Sequence, residues 1–472
     1  MTSVPDINLL SDAEKDELIR TLFVQLQELV GTVAELKGRL ALNSANSSKP
    51  PSTNGFKNPN NKNRSTRGKS GKNKGGQKGH TGNHLKQVEH PERTEICTPP
   101  SHCMDCGLAL GEMKKVESRQ VFDIPKIRPE VTEYQAYETR CTCGKVHRGA
   151  FPEGVAGPVQ YGPVAKAMVV EFTHHEMQPL ARTGKLMGTI FDLPMSDATV
   201  LEIQKEACWR LTPVVEAIAR ALKAAPAVHA DETGMHVSGK CKWMHIVATE
   251  SLTWMGAHDK RGKEAFDALG ILAEAAGVLI HDGLRAYRLF DDALHGLCNQ
   301  HHLRELLFVT EEMKQEWAKR MMALLRTACH EVNETPDKTL GAERIAHYRF
   351  AYELILQDGE TANPPAEKPA GKRGKAKQNK AFNLLLRLRI YADDVWRFTE
   401  NPNVPFTNNI AEQAVRMPKV KQKISGGFRT MEGLKIFCTI RSYLATMHKQ
   451  GENIFDALIQ TFRGCVTSPR FT

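Results

Sequence analysis

Two short apolar segments that each run into a carboxylate constrain the fold of this chain most. The segment "PAVHADETG" leads into Asp231, and "VLIHDGLRAY" leads into Asp282. Asp-Gly is ordinary turn chemistry after a buried strand, so either segment alone has a simple structural explanation. Two strands that end in the same way predict two hard oxygen ligands at one edge of a sheet.

The order of the predicted elements indicates an α/β domain in this part of the chain. "AVHAD", "KCKWMHIVAT" and "SLTWMGAH" are predicted strands, and "GKEAFDALGILAEAAG" is a predicted helix. The strand "VLIHD", the strand "HGLCNQ" and a helix at "HHLRELL" follow. This order is typical of a ribonuclease-H-like domain, in which the first and fourth strands are adjacent and parallel.

A later helix is expected to add a third carboxylate. Asn408 or Asn409 is the predicted cap of a helix that exposes Glu412, Arg416 and Lys419. Glu412 would then lie at the edge that carries Asp231 and Asp282. Three carboxylates without a guaranteed cationic partner repel one another, so such a cluster indicates divalent cations, and all-oxygen ligation suits Mg²⁺.

The net charge of +10 is concentrated in one segment. Between residues 43 and 88 there are ten Lys or Arg residues and no Asp or Glu, so the other 426 residues sum to zero. The Asn, Ser, Gly and Pro content of this arm predicts disorder. Such an arm neutralises DNA phosphates, with a solvated linker as the alternative. Its candidate DNA contacts are Lys69, Lys72, Lys74 and Lys78.

Eleven cysteines in a chain with no secretory signal indicate thiols or a metal site in a cytoplasmic protein rather than a disulfide framework. "CMDCG" carries Cys103 and Cys106, and "CTCG" carries Cys141 and Cys143. Between them, "QVFDI" and "EVTEYQAYETR" predict a hairpin. Four thiolates on two knuckles predict a zinc ribbon, with unligated thiols as the alternative. The second knuckle is tighter than usual, and Cys97 could substitute for one ligand.

Helical patterns occupy three further regions. Residues 11–42 begin with a capping box and carry an a/d seam that predicts a coiled coil and self-association; docking on the same protein is the alternative. Residues 158–225 are predicted to be helical, with a turn at Asp192 before a helix capped near Ser196, as in a helix-turn-helix. Residues 303–400 are mainly helical and contain a loop rich in Pro, Gly and Lys. No apolar run is long enough to span a membrane.

The segment "CNQHHLREL" offers Cys298, His301 and His302 as a further ligand set. Three soft or borderline ligands at one strand–helix junction more often pack and form hydrogen bonds. We therefore assign them a bracing role at the carboxylate edge rather than a metal.

Together these features resemble the D-D-E transposases of the insertion-sequence sixty-six type. The matching motifs are "HADETG", "HDGLRAY", "CNQHHLREL", "NNIAEQAVR", "NSSKPPS", "GGQKGHTG" and "CMDCG", and with the heptads they cover nearly the whole chain. One departure is the pair His301 and His302, where the family has one His among apolar residues.

The resemblance implies that Asp231, Asp282 and Glu412 are a catalytic triad on a ribonuclease-H-like fold. It implies two Mg²⁺ or Mn²⁺ ions about 3.5–4 Å apart, bridged by Asp231 and each held by one other acid. Arg416 and Lys419 are candidate phosphate contacts, with solvated helix residues as the alternative. The implied partners are double-stranded DNA (terminal inverted repeats and target), further copies of the chain and accessory proteins of the same element.

Three functions remain open from the sequence. The first is a transposase that cuts element ends and joins them to target DNA. The second is a structure-specific nuclease or resolvase with the same triad, and the third is a DNA-binding regulator with an inactive core. The appendages favour the first over the second, and the presence of all three carboxylates disfavours the third.

The predicted organisation is a multidomain α/β protein with seven modules. They are a coiled-coil helix (1–42), a disordered basic arm (43–88), a zinc-ribbon-like module (89–150), a helical, helix-turn-helix-like DNA-binding region (151–225), the first part of a ribonuclease-H-like core (226–302), a helical insertion with a basic loop (303–404), and the core completion with the catalytic Glu and C-terminal helices (405–472).

Overall fold

The structure is a computed structural model of the 472-residue chain. It describes residues 10–43, 46, 79, 82, 85–290, 292–368 and 376–471. Most of the basic arm, including Lys69, Lys72, Lys74 and Lys78, lies outside these residues. Among the helices that are described, none is long and apolar enough to cross a membrane.

The described helices and strands follow one another in a clear order along the chain. In chain order they are α1 (Asp12–Ala41), β1 (Glu138–Arg140), β2 (Val146–Arg148), α2 (Pro163–Val170), a π-helical segment (Glu171–His175), α3 (Leu180–Phe191), α4 (Asp197–Ala224), β3 (Ala227–Val237), β4 (Lys240–Ala248), β5 (Thr253–His258), α5 (Lys263–Leu269), β6 (Val278–His281), a 3₁₀ turn (Arg285–Leu289), β7 (His295–Leu297), α6 (Asn299–Glu312), α7 (Glu316–Glu334), α8 (Ala342–Ala362), α9 (Lys380–Ile390), α10 (Ala392–Trp396), a second 3₁₀ turn (Arg397–Thr399), α11 (Asn409–Ser425), α12 (Met431–Lys449) and α13 (Ile454–Phe462).

A five-stranded mixed sheet forms the centre of the α/β part, in the order β5-β4-β3-β6-β7. β3 pairs antiparallel with β4 and parallel with β6, and β6 pairs parallel with β7. The predicted adjacency of the first and fourth strands is therefore observed. Their register sets Ala227 opposite Val278 and His229 opposite Ile280.

β3 is longer than the sequence pattern indicated. We expected a strand that ends at Asp231, but β3 continues to Val237 because it remains paired with β4 as far as Lys240. The loop after α11 also joins this extension: the Phe428 N–H donates to the His236 carbonyl at 2.8 Å. Gly427 permits that approach, since a Cβ there would lie 2.4 Å from the His236 oxygen.

Hydrophobic clusters cover both faces of the sheet. On one face, Val228 and Leu279 pack with Ile218 of α4 and Phe266 of α5. On the other face, the far half of β3 packs against α12, and the β6–β7 side packs against α6 and the helices after it. The sheet edge that carries the aspartates is therefore held between two helical layers.

The helices before and after the sheet share one core. Leu211 of α4 packs in the same buried cluster as Tyr443 of α12 and Leu458 of α13. The predicted turn between α3 and α4 is observed: Asp192 ends α3 in the left-handed conformation, and the Ser196 hydroxyl caps α4. α4 then runs for 28 residues into the core.

Two local predictions were wrong. The helix expected over "GKEAFDALGILAEAAG" ends after seven residues, because Gly270 adopts a left-handed conformation (φ +66°) and stops it. The hairpin expected between the two cysteine knuckles does not form there; β1 and β2 instead flank the second knuckle. The residues around "QVFDI" are extended without strand partners.

α1 begins as predicted, with a capping box between Ser11 and Glu14. The apolar seam of α1 is exposed to solvent, and exposed fractions run from 41% to 87%. These residues are Ile19, Leu22, Leu26, Leu29, Val33, Leu36 and Leu40.

The edge strand β5 is closed by side chains of α12 rather than by another strand. The Met255 N–H donates to the Ser442 hydroxyl at 2.8 Å, and the Thr253 N–H donates to the Thr446 hydroxyl at 3.0 Å. Both hydroxyl-bearing residues are completely buried. The helix thus satisfies donors that an open sheet edge would leave exposed.

Ser442→Ala is expected to lower the free energy of unfolding by about 1–3 kcal/mol, because it leaves the buried Met255 N–H without an acceptor. Chemical denaturation measures the change. Thr212→Ala is the matched control: its hydroxyl is exposed and bonds only to the Cys208 carbonyl of its own helix, so a change within about 0.5 kcal/mol is expected. Equal effects of the two substitutions would contradict the edge-closing role.

Candidate active site

Asp231 and Asp282 meet at one edge of the sheet. Asp282 follows the last residue of β6, and the β3–β6 register carried two residues further sets Asp231 level with it. Carboxylate oxygens of Asp231, Glu232 and Asp282 all lie within 4.8 Å of one another. The predicted meeting of the two aspartates is observed, and Glu232 is a third acid that sequence reasoning did not assign to the site.

The turn that carries Asp282 is fixed by backbone and side-chain hydrogen bonds. The Leu284 N–H donates to Asp282 Oδ1 at 3.0 Å, and Gly283 takes a left-handed conformation (φ +92°) that suits glycine. The Gly283 N–H donates to His281 Nδ1 at 3.0 Å. His281 Nε2–H then donates to His295 Nδ1 at 3.0 Å, and His295 Nε2–H donates to the Phe290 carbonyl at 3.2 Å.

This histidine relay requires neutral imidazoles. Burial lowers the pKa of His281 well below its ordinary value, and the neighbouring His295 adds to the effect. Burial likewise lowers the pKa of His295. Each ring therefore donates from one nitrogen and accepts at the other, which holds the Asp282 turn in one position.

Glu232 is held by two partners from later elements. Arg261 Nη2 donates to Glu232 Oε1 at 2.6 Å, and the Tyr287 hydroxyl donates to Glu232 Oε2 at 2.6 Å. The Arg261 guanidinium also lies over the Trp243 ring, 4.9 Å from its centroid. Both oxygens of Glu232 are thus occupied, and its charge is balanced inside the protein.

Among the described residues, Asp231 has no such cationic partner. Its Oδ1 accepts from the Glu232 N–H at 2.8 Å. Burial raises the pKa of Asp231 well above its ordinary value, and the charges of Glu232, Asp282 and Glu412 raise it further. The donor set of buried, mutually repelling carboxylate oxygens fits a hard divalent cation, which would supply the missing positive charge.

Asn408 connects α11 to β3 beside Asp231. Its Nδ2–H donates to the Ala230 carbonyl at 2.8 Å, and its Oδ1 accepts from His229 Nδ1–H at 2.9 Å. Asn408 is completely buried. It occupies the cap position, but its side chain does not cap the helix as we predicted. The amide instead fixes the start of α11 against the strand, and α11 carries Glu412 in its first turn.

Glu412 lies on the side of the aspartates, but its carboxylate is not among the groups whose oxygens all lie within 4.8 Å of one another there. Its charge is among those that raise the pKa of Asp231, but its Oε1 faces Cys298 and His301. The Cys298 sulfur and His301 Nδ1 each lie 3.7 Å from that oxygen. His302 turns the other way: its Nδ1–H donates to Asn299 Oδ1 at 3.0 Å, and burial lowers its pKa to about 3.

The two basic residues of α11 differ in their surroundings. Arg416 is exposed, as predicted. Lys419 is half-buried, and its Nζ donates to the Gly234 carbonyl of β3 at 2.5 Å, so it is not the exposed side chain we expected. Burial lowers its pKa. α11 packs so closely on β3 that the lysine reaches the strand backbone.

The cysteines of the N-terminal half form two similar knuckles. Gly107 and Gly144 close the turns in left-handed conformations (φ +70° and +88°). Backbone N–H groups of Cys106 and Asp105 lower the pKa of the Cys103 thiol, and those of Cys143 and Thr142 act in the same direction on Cys141. No three of the four sulfur atoms lie within 4.8 Å of one another, although all four belong to the described residues.

Comparisons with known protein families identify the family of this chain. A family model described as "Transposase IS66 family" matches residues 158–436, more than half of the chain, and covers Asp231, Asp282 and Glu412. A second, described as a zinc-finger binding domain of transposase IS66, matches residues 100–144 and contains all four knuckle cysteines. A family of unknown function matches residues 2–86. A search of curated proteins gave no match. The chain belongs to the IS66 transposase family and carries its zinc-finger domain.

Proposed function

We propose that this transposase binds the ends of a bacterial insertion sequence, cleaves DNA strands there and joins them to target DNA. The proposed core is ribonuclease-H-like, and its proposed catalytic residues are Asp231, Asp282 and Glu412. The observation that carries this proposal is the edge where Asp231 and Asp282 meet under α11. The sheet order, with two parallel pairs beside an antiparallel hairpin, supports the fold assignment.

Glu412, rather than Glu232, is the better third acid. Both oxygens of Glu232 already accept hydrogen bonds from Arg261 and Tyr287, and the Arg261 guanidinium offsets its charge, so a cation would gain less there than at Glu412. Glu412 lies in the first turn of a helix tied to β3, and its side chain is partly open to solvent (26% exposed). In the proposed active state, rotation about the side-chain bonds of Glu412 would turn its carboxylate from Cys298 toward Asp231.

The residues of the edge suit phosphoryl transfer. Bound Mg²⁺ or Mn²⁺ would supply an activated nucleophile and stabilise the leaving oxygen. Asp231, Asp282 and Glu412 would hold these ions, while Glu232 keeps its charge balanced by Arg261. Arg416 lies one helical turn beyond Glu412 and is exposed, so it can contact a DNA phosphate.

Further parts of the chain fit the recognition and pairing of DNA ends. We propose that Cys103, Cys106, Cys141 and Cys143 bind one zinc ion, which would draw the two knuckles together. The lowered thiol pKa values of Cys103 and Cys141 and the geometry of the two turns favour this site. The basic arm would follow the DNA backbone, and the exposed seam of α1 would pair with another copy. A nuclease or resolvase without strand transfer would not need this combination, and the presence of all three carboxylates disfavours an inactive regulator.

A nicking assay tests the main proposal. Purified protein is incubated with labelled duplexes that carry the element ends, with Mg²⁺ or with EDTA, and the nicks are mapped. Mg²⁺-dependent nicks at the element ends followed by joining to a second duplex support a transposase. Cleavage without joining would favour the nuclease, and binding without cleavage would favour the regulator.

Asp231→Asn is expected to raise the melting temperature of the metal-free protein at neutral pH. The folded-state pKa of Asp231 is raised, so the protonated carboxyl group is favoured in the folded protein. The stability that this gives is fully present below the ordinary Asp pKa and is lost as pH rises through the raised pKa, where the ionised carboxylate destabilises the fold. Wild type should gain roughly 2–6 °C with Mg²⁺ at ten times its Kd, whereas Asp231→Asn should gain much less. Thermal denaturation measures both, with Asp267→Asn on the exposed face of α5 as control.

Asp231→Asn, Asp282→Asn and Glu412→Gln should each reduce strand cleavage by on the order of 10³-fold or more, equivalent to about 4 kcal/mol. The carboxamide keeps the shape and loses the charge that holds a cation. Binding to element ends should stay nearly unchanged in a gel-shift assay, and Asp267→Asn should cleave normally. Full activity in any one of the three variants removes that residue from the triad.

Replacing Lys69, Lys72, Lys74 and Lys78 with Gln should flatten the dependence of log affinity on log salt concentration by about two to four units, since each neutralised phosphate contributes about 0.9. Affinity for unrelated duplex should fall nearly as much as affinity for element ends, because phosphate contacts carry no sequence information. Nick positions should not move. An unchanged slope, or a loss confined to element ends, contradicts the arm's proposed role.

Deleting residues 11–42 should convert a dimer or larger assembly into a smaller species in light scattering. The seam of α1 exposes seven large apolar side chains, which a second helix would cover. If the number of chains per particle is the same before and after the deletion, α1 does not mediate assembly.

A further inference from the structure

We propose that Cys298, His301 and Glu412 form a second metal site, separate from the zinc finger and suited to zinc or a similar borderline divalent ion. The three side chains come from the end of β7, the first turn of α6 and the first turn of α11. Their ligand atoms all lie within 4.8 Å of one another. From the sequence, Cys298, His301 and His302 were expected to pack and form hydrogen bonds rather than bind a metal. The third ligand found here, Glu412, lies more than a hundred residues further along the chain.

The spacing of the ligand atoms suits a small tetrahedral ion. Zinc bonds of about 2.0–2.3 Å place neighbouring tetrahedral ligands roughly 3.4–3.6 Å apart. The Cys298 sulfur and His301 Nδ1 each lie 3.7 Å from Glu412 Oε1. The distance from the imidazole nitrogen to the carboxylate is too long for a hydrogen bond and close to a tetrahedral edge.

His301 supplies an independent indication of a missing partner. Its Nδ1 is inaccessible to solvent and has no hydrogen-bond partner in the described part of the chain, although it points toward a carboxylate oxygen. Buried polar side-chain atoms are usually satisfied. A metal ion between the nitrogen and the carboxylate would satisfy both. The Nδ1 of His302, by contrast, already has a hydrogen-bond partner, Asn299 Oδ1.

Backbone N–H groups surround the Cys298 sulfur. The Asn408 N–H donates to its sulfur at 3.1 Å, and the backbone N–H groups of Gln300 and His301 also point at it. This arrangement at the start of α6 places N–H donors around the sulfur as metal-binding cysteine knuckles do. Burial and the charge of Glu412 nevertheless raise the pKa of the Cys298 thiol to about 12, so a metal ion that binds there would displace the thiol proton. Sulfur and imidazole nitrogen select zinc over Mg²⁺, so the site differs in chemistry from the aspartate edge.

Shared use of Glu412 gives the site a regulatory consequence, and this part rests on the proposed catalytic role. Zinc bound to Cys298 and His301 would also bind the Glu412 carboxylate. It would thereby keep Glu412 away from Asp231 and Asp282. Free zinc should therefore slow Mg²⁺-dependent cleavage, and the loss of Cys298 or His301 should weaken that inhibition.

Metal counting tests the site without any reference to activity. Full-length protein is equilibrated with zinc and separated from free metal. Elemental mass spectrometry then measures the number of zinc ions per chain. Wild type should hold two zinc ions per chain, and Cys298→Ser and His301→Asn should each hold one. Cys438→Ser and His302→Asn are matched controls for a buried thiol and a neighbouring imidazole, and both should hold two.

A cobalt experiment keeps the test valid where a substitution at Cys298 fails to fold. Chain with Cys103→Ser and Cys141→Ser, which lacks two proposed zinc-finger ligands, is titrated with Co²⁺. A thiolate-to-cobalt charge-transfer band at one equivalent supports the Cys298 site, and its absence overturns it. Two zinc ions retained in folded Cys298→Ser, or only one in wild type, also overturns it.

The inhibition is then measured relative to each variant's own zinc-free cleavage rate. Saturating zinc is expected to reduce the cleavage rate of wild type at least about tenfold and that of His301→Asn less than about twofold. This difference corresponds to about 1 kcal/mol of activation free energy. Protein that never cleaves DNA refutes the proposed function but leaves the metal count standing. A correct metal count with equal zinc inhibition in both proteins refutes the regulatory role of Glu412.

Discussion

Repulsion among buried carboxylates is the constraint on which the active-site architecture depends. Asp231, Glu232 and Asp282 lie within 4.8 Å of one another at a half-buried sheet edge, and Glu412 adds to the same field. Arg261 and Tyr287 balance the charge of Glu232, but nothing in the described part of the chain does so for Asp231. The fold holds an unfavourable charge arrangement in place, which is what a cation-dependent enzyme requires before its metal binds.

The strand β3 links the structural role of the sheet to this arrangement. Its first half pairs in parallel with β6 and so sets the two aspartates level. Its second half pairs with β4 and packs under α11 and α12, so the helix that bears Glu412 is fixed to the same strand. Asn408 makes that connection at Ala230, one residue before Asp231. A shift of α11 along β3 would separate Glu412 from the aspartates. It would also break the buried hydrogen bonds of Asn408 to His229 and Ala230.

Local sequence patterns predicted the elements that depend on neighbouring residues. The capping box of α1, the turn between α3 and α4 and the succession of strands along the chain follow from periodicity, capping and turn chemistry, whereas the adjacency of the first and fourth strands was expected from the fold class. Where the predictions were wrong, a competing interaction was stronger. Gly270 ended α5 early, and the partner strand β4 carried β3 beyond Asp231. In the zinc-finger domain, the short strands formed where backbone pairing closes the second knuckle.

The sequence by itself determined the chemical identity of the site: two strands that lead into Asp231 and Asp282, and a helix that begins near Glu412. The tertiary structure decided which of these groups is free to act. Glu232 follows Asp231 directly in sequence, but only packing brings Arg261 and Tyr287 onto its oxygens. Likewise, adjacent His301 and His302 look equivalent in the sequence, and the orientation of α6 turns one toward Glu412 and the other toward Asn299. Periodicity reports the local backbone, whereas these pairings join residues that are distant along the chain and meet only when helices pack on the sheet.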